Sequence, residues 1–118
     1  MKTLSIIKKK KDKVNIIILD GILNADTASK LDDLLKELSG SDCPCLVLDV
    51  SKLTYISSAG IGCFIGIIKL IRSKGGDIHF YNMLPKVWRV FKLLDMDGFF
   101  KFFTDFEKAV TNFDDMNK

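Results

Sequence analysis

The sequence predicts an α/β fold, a single mostly parallel β-sheet with an antiparallel opening hairpin, in the order β-β-α-β-α-β-α-β-α. Three observations predict it. Apolar runs rich in β-branched residues alternate with stretches of helical period, a pattern that calls for parallel strands joined by crossover helices. Two such runs, Leu4 to Ile7 and Val14 to Leu19, flank a lysine cluster with no helix between them, which reads as a hairpin. Cys45 to Leu48 is almost continuously apolar, as expected of a strand buried on both faces. At 118 residues the chain makes one domain, 1–118, with its tail over 114–118 expected to fray.

Each element has a local reason. Lys8 to Lys11, Asp12 and Lys13 read as a solvated hairpin turn. Asp20-Gly21 ends the second strand. Asn24 or Asp26 can then cap a helix to about Leu38, in which Leu31, Leu34, Leu35 and Leu38 share one face. Ser39-Gly40-Ser41 stops it. The strand from Cys45 leads through Asp49 and a short connector to Ser57-Ser58, where a second, Gly-containing helix begins and runs to just before Gly75-Gly76. Asp77 to Tyr81 is the fourth strand. Pro85 suits the first turn of a third helix, where its missing N–H is not needed. That helix carries Val87, Trp88, Val90, Phe91 and Leu94, and Asp97-Gly98 ends it. Lys101 to Phe103 reads as a last short strand. Thr104 or Asp105 can cap a final helix with Phe106, Ala109, Val110 and Phe113 on its inner side.

Composition excludes several classes. A net charge of +3 is too small to imply direct nucleic-acid binding, and no aromatic residue interleaves with the lysines to stack on bases. The apolar stretch Ile61 to Ile71, interrupted by Gly66 and Lys69, falls short of the roughly 20 residues that span a bilayer. No signal-peptide run is present at the N-terminus, so the expected location is cytoplasmic, away from membranes. Cys43, Cys45 and Cys63 are odd in number and lack a zinc spacing, which fits reduced thiols. No cofactor or metal is expected. Ser57 to Gly62 lacks the lysine and glycine spacing of a P-loop, and His79, the single histidine, is far from Ser58 in sequence. These features argue against an enzyme.

The most informative segment is Leu46 to Gly66. Small hydroxyl residues at the head of a helix cap it, and unpaired backbone N–H groups converge there, which suits a phosphate. The run Tyr55, Ile56, Ser57, Ser58, Ala59, Gly60, Ile61, Gly62 resembles the signature of the STAS domain, most closely that of the bacterial anti-sigma factor antagonists. In that register Ser58 falls on the serine phosphorylated by the partner kinase. Ser57 stands where many members have Asp, which removes a negative charge beside the acceptor. Asp20 to Thr27 is similar to the family's first strand-to-helix turn, with Ile22 and Asn24 replacing its usual acids. Lys74-Gly75-Gly76 and Val87 to Phe103 also resemble family elements, so the likeness covers nearly the whole chain.

The second helix is apolar around much more than half of its circumference: Cys63, Phe64, Ile65, Ile67, Ile68, Leu70 and Ile71. Some of this surface is expected to stay exposed. The opposite stripe holds Ser58, Gly62, Gly66, Lys69 and Ser73, whose small members would admit a partner closely. Either a protein partner uses this stripe, or another helix or a homodimer covers the excess apolar surface. Asp49 either orients an approaching kinase or caps a turn. Asn24 either meets a partner near Ser58 or caps the first helix.

The resemblance implies an anti-sigma factor antagonist. Unphosphorylated, it would bind an anti-sigma factor that is also a serine kinase and so release a sigma factor. Phosphorylation of Ser58 would end the contact, and a serine phosphatase would reset it. The partner-binding candidates are Asn24, Ser57, Ser58, Gly62, Gly66 and Lys69, with Asp49 in support. The alternative is a STAS scaffold that is never phosphorylated, a regulatory subunit of a signalling assembly or a transporter.

Overall fold

The structure is a computed structural model that describes residues 3–113, so the tail expected to fray lies outside the described residues. Its elements are β1 (Leu4–Lys11), β2 (Val14–Leu23), α1 (Ala28–Ser39), β3 (Cys45–Ile56), α2 (Ser58–Ser73), β4 (Asp77–Tyr81), α3 (Pro85–Leu93), β5 (Lys101–Phe103) and α4 (Phe106–Thr111). The sheet order is β1-β2-β3-β4-β5; β1 and β2 are antiparallel and every later pair is parallel. The element order and the opening hairpin match the sequence expectation.

Strand alternation divides the core. On β3, Leu46 and Leu48 point into a large cluster shared with α1, α2 and α3. Cys45 and Val47 point the other way, into a smaller cluster closed by Ala109 and Val110 of α4 and by Phe113. Phe80 on β4 anchors the larger cluster, with its ring 5.0 Å from Phe64, 5.1 Å from Phe91, 5.4 Å from Phe100 and 5.5 Å from Phe102. His79, its neighbour, faces the smaller one. There its Nδ1–H donates to the Ala109 carbonyl oxygen (2.8 Å) and its ring stacks 3.8 Å from Phe113.

Four boundaries differ from the sequence expectation. The lysine cluster is not the turn: Lys8 to Lys11 belong to β1, and the chain reverses at Asp12-Lys13, with Asp12 at φ 56°. An edge strand tolerates such a run because exposed lysines discourage pairing with another chain. Asp20-Gly21 does not end β2. Gly21 takes φ 120°, and the ladder with β3 slips beside it, a bulge that lets the strand continue to Leu23. β3 likewise runs past Asp49 to Ile56, because β2 offers it a partner along the whole length. α3 closes at Leu93 and Leu94 is exposed; the chain turns at Asp95 (φ 57°), before Asp97-Gly98.

Phe80→Ala removes the ring on which four others pack. It is expected to cost about 3–5 kcal/mol of folding stability, measured by urea denaturation, with the m-value unchanged if the native state stays intact.

Candidate functional site

The site is built where β2 and β3 end side by side. Leu23 and Ile56 are register partners, and the Ser57 N–H donates to the Leu23 carbonyl oxygen (3.0 Å), so the chain entering α2 is tied to the end of β2. α2 then starts against that strand. An added Cβ on Gly60 would lie 2.8 Å from Leu23 Cγ, 2.9 Å from the Leu23 carbonyl oxygen and 3.0 Å from Ile56 Cγ1. Only glycine allows this approach.

The two serines have separate tasks. Ser57 is the N-cap: its backbone is extended (φ −98°, ψ 171°) and its hydroxyl accepts from the Gly60 N–H (3.2 Å). Ser58 is the first helical residue and is exposed. No acidic side chain stands in this first turn, so the positive end of the helix dipole is uncompensated there. The expectation that either serine caps the helix thus resolves onto Ser57, leaving the Ser58 hydroxyl at the surface.

Asn24 begins the loop beside this junction. Its Oδ1 accepts from the backbone N–H of Asp26 (2.9 Å) and of Thr27 (3.1 Å). The Asn24 N–H donates to Thr27 Oγ1 (2.9 Å), and that hydroxyl donates to the Ile22 carbonyl oxygen (2.8 Å). Thr27, rather than Asn24 or Asp26, is the N-cap residue of α1, and its side chain makes no capping bond. The Asn24 oxygen is therefore engaged in shaping the loop.

Gly62, Gly66 and Lys69 share the exposed face of α2 with Ser58. A Cβ at Gly62 or Gly66 would meet nothing within 4 Å, so neither glycine is required by packing inside the chain. Lys69 lies eleven residues from Ser58, about 16 Å along the helix, at the far end of that face. The excess apolar surface of α2 is partly exposed as expected, at Ile65 (43%) and Leu70 (48%).

Asp49 is not at a strand end. It sits inside β3 level with Ile18, which is five residues, or roughly 16 Å along β2, below the Leu23–Ile56 pair. Its Oδ1 accepts from the Ser51 N–H (3.1 Å) and hydroxyl (2.7 Å). The strand continues beyond it because Lys52, Leu53 and Tyr55 pair with β2 instead of forming a connector, and this removes Asp49 from the surroundings of Ser58.

Two hollows flank the junction. One, of about 420 Å³, lies between α1 and α2 and is lined by Ala25, Ala28, Ser29, Asp32, Ala59, Gly62 and Cys63. The Cys63 thiol on its edge is pushed up by burial and secondarily by the Asp32 carboxylate, which favours the protonated form. Asp32 also ion-pairs with Lys36 (2.9 Å) and raises that ammonium through the hydrogen bond and its charge. The other hollow, of about 510 Å³, is lined by Ile22, Asn24, Thr54, Tyr55 and Lys86. Tyr55 is 51% exposed. Sequence reasoning did not single out Tyr55 or Lys86 as surface contacts. The exposed aromatic two residues before Ser57 was a usable signal; Lys86 was not visible, because only the fold brings α3 to this end of the sheet.

Among the described residues, the head of α2 presents an exposed hydroxyl beside an open groove on an α/β sheet. A family model described as STAS domain matches residues 5–109, and the chain belongs to that family. It is 33% identical over 98 residues to the anti-sigma F factor antagonist of Paenibacillus polymyxa, covering 82% of this chain and 81% of that protein. An anti-sigma factor antagonist from Mycobacterium paratuberculosis has the same fold, with a TM-score of 0.83 at 19% identity over 94% of each chain. So does the Bacillus cell fate determinant SpoIIAA in its phosphorylated form, with a TM-score of 0.69 at 15% identity over 90% of this chain and 96% of that one. The STAS anti-sigma factor antagonists are regulatory binding proteins rather than enzymes, in keeping with the non-enzyme reading. Among the described residues no helix is long and apolar enough to cross a membrane.

The glycines and serines separate by substitution. Gly60→Ala is expected to destabilise by about 1–3 kcal/mol through overpacking, whereas Gly62→Ala is expected to be neutral or to stabilise by up to about 1 kcal/mol. Ser57→Ala should cost about 1 kcal/mol as a lost cap, and Ser58→Ala should stay within about 0.5 kcal/mol of the parent. Urea denaturation of the four variants measures all of these.

Proposed function

We propose that this protein is an anti-sigma factor antagonist switched by phosphorylation at Ser58. Unphosphorylated, it binds an anti-sigma factor that is also a serine kinase, and the sigma factor is released. The kinase uses its own ATP to phosphorylate Ser58, which ends the contact, and a serine phosphatase restores the binding form. The observation that carries this reading is the division of labour at the head of α2: Ser57 is committed to the cap while Ser58 is exposed beside an open groove. The name of the Paenibacillus relative supports the same class of partner.

The physical basis of the switch is local. A phosphoryl group brings about −1.5 to −2 charges and suits the positive end of α2, so the domain itself tolerates it. Buried against a partner, the same charge loses its water and meets whatever carboxylates the partner presents. A penalty of about 3 kcal/mol weakens binding roughly a hundredfold without a change of fold. Asn24, Ser57, Gly62, Gly66 and Lys69 complete the partner surface, Gly62 and Gly66 by letting another chain approach the α2 backbone.

The test is to incubate the protein with ATP, magnesium and serine-kinase anti-sigma factors of the same genome, then map phosphate by mass spectrometry and measure the complex. Phosphate confined to Ser58, absent in Ser58→Ala, with affinity reduced roughly a hundredfold, is the expected result. A stable complex that never acquires phosphate favours the scaffold reading, to which Ser57 in place of the family's frequent Asp already lends some support. Independently, Gly62→Leu is expected to weaken the complex at least tenfold while leaving the denaturation midpoint near the parent value, since nothing inside the chain opposes a side chain there.

A further inference from the structure

At the opposite end of β3 from Ser58, two thiols are in contact. Cys43 Sγ and Cys45 Sγ lie 3.9 Å apart across Pro44. Cys43 is half-buried and Cys45 is 1% exposed. Both belong to the cluster on the α4 side of the sheet, whereas Cys63 belongs to the cluster on the other side. The intervening Pro44 is held: its carbonyl oxygen accepts from the Asp77 N–H (3.2 Å), the bond that joins the foot of β3 to the foot of β4.

We propose that Cys43-Pro44-Cys45 is a dithiol modification site for small-molecule disulfides, which convert it to an internal disulfide. The geometry permits closure. Residues two apart on an extended chain have Cα atoms about 6.6 Å apart, within the range a disulfide spans, and the two sulfurs already lie 3.9 Å apart. Both side chains pack into the cluster on the α4 side of the sheet. Accessibility sets the order of events. The Cys43 thiol loses its proton to solvent and the thiolate attacks one sulfur of R–S–S–R. That bond breaks, and the departing R–S⁻ takes up a proton. The Cys45 thiol then gives up its proton, its thiolate attacks Cys43 Sγ in the mixed disulfide, the bond to the second R–S group breaks, and the departing R–S⁻ takes up a proton. Two thiols are oxidised to one disulfide while one R–S–S–R is reduced to two R–SH. Cys63 is the internal control: it sits on the other face of the sheet, buried, with its Sγ directed at the Ala59 carbonyl oxygen.

The experiment treats the native 118-residue chain with oxidised glutathione, quenches in acid, alkylates in denaturant and maps the peptides. The expected product is a 43–45 peptide lighter by two hydrogens and closed to alkylation, with Cys63 alkylated. Cys45→Ser should stop at a glutathione adduct on Cys43, and Cys43→Ser should take up no glutathione at Cys45. A glutathione adduct that persists on Cys43 of the parent chain, with Cys45 still alkylated, overturns the proposal. So does complete alkylation of all three cysteines. The parent chain alone decides between these outcomes, so the proposal does not depend on the folding of either variant.

Discussion

The place of Ser58 depends on the close approach of the first turn of α2 to the end of β2. That approach exists because Gly60 carries no side chain and because the Ser57 N–H is bound to the Leu23 carbonyl oxygen. Together they set the helix down at a single height on the sheet. With Ser57 used as the cap, the next residue necessarily begins the helix. Its side chain faces water because Gly60 and Ile61 turn toward the core. The exposed hydroxyl is thus a geometric consequence of the buried packing beneath it. A group attached to that hydroxyl would lie outside the core.

The rest of the sheet serves this junction in two ways. α1, α2 and α3 cover one face and bury the continuous apolar cluster centred on Phe80, which gives α2 a rigid seat. α4 covers part of the other face through a smaller cluster, held by His79 and Phe113. The chemistry of the chain is distributed accordingly. The serines and open glycines lie at the head of α2, while the paired thiols lie at the foot of β3 on the α4 side.

Much of this was legible in the residues. Period-two and helical patterns found every element, Pro85 marked the first turn of α3, and Asp105 marked α4, where its Oδ1 accepts from the Lys108 N–H (3.2 Å). Three of the four misread boundaries share one cause. Lys8 to Lys11, Asp20-Gly21 and the run Lys52, Leu53 and Tyr55 look like turns or connectors in the sequence, yet each is strand because a neighbouring strand satisfies its backbone. Asp49 was placed at a strand end by that same reading, and its distance from the site follows from the error. Cross-strand hydrogen bonding is non-local, so no window of sequence contains it.

The sequence by itself determined the fold class, the serine pair at a helix head, the apolar excess of α2 and the family to which these belong. Those are properties of local patterning and of a contiguous motif. Tertiary structure alone decided which serine caps and which is exposed, since that turns on the ψ of Ser57 and its bond to Gly60. It also decided which glycine is needed for packing and which are open. Gly60, Gly62 and Gly66 are alike as letters, but only Gly60 faces Leu23 and Ile56; the other two face solvent.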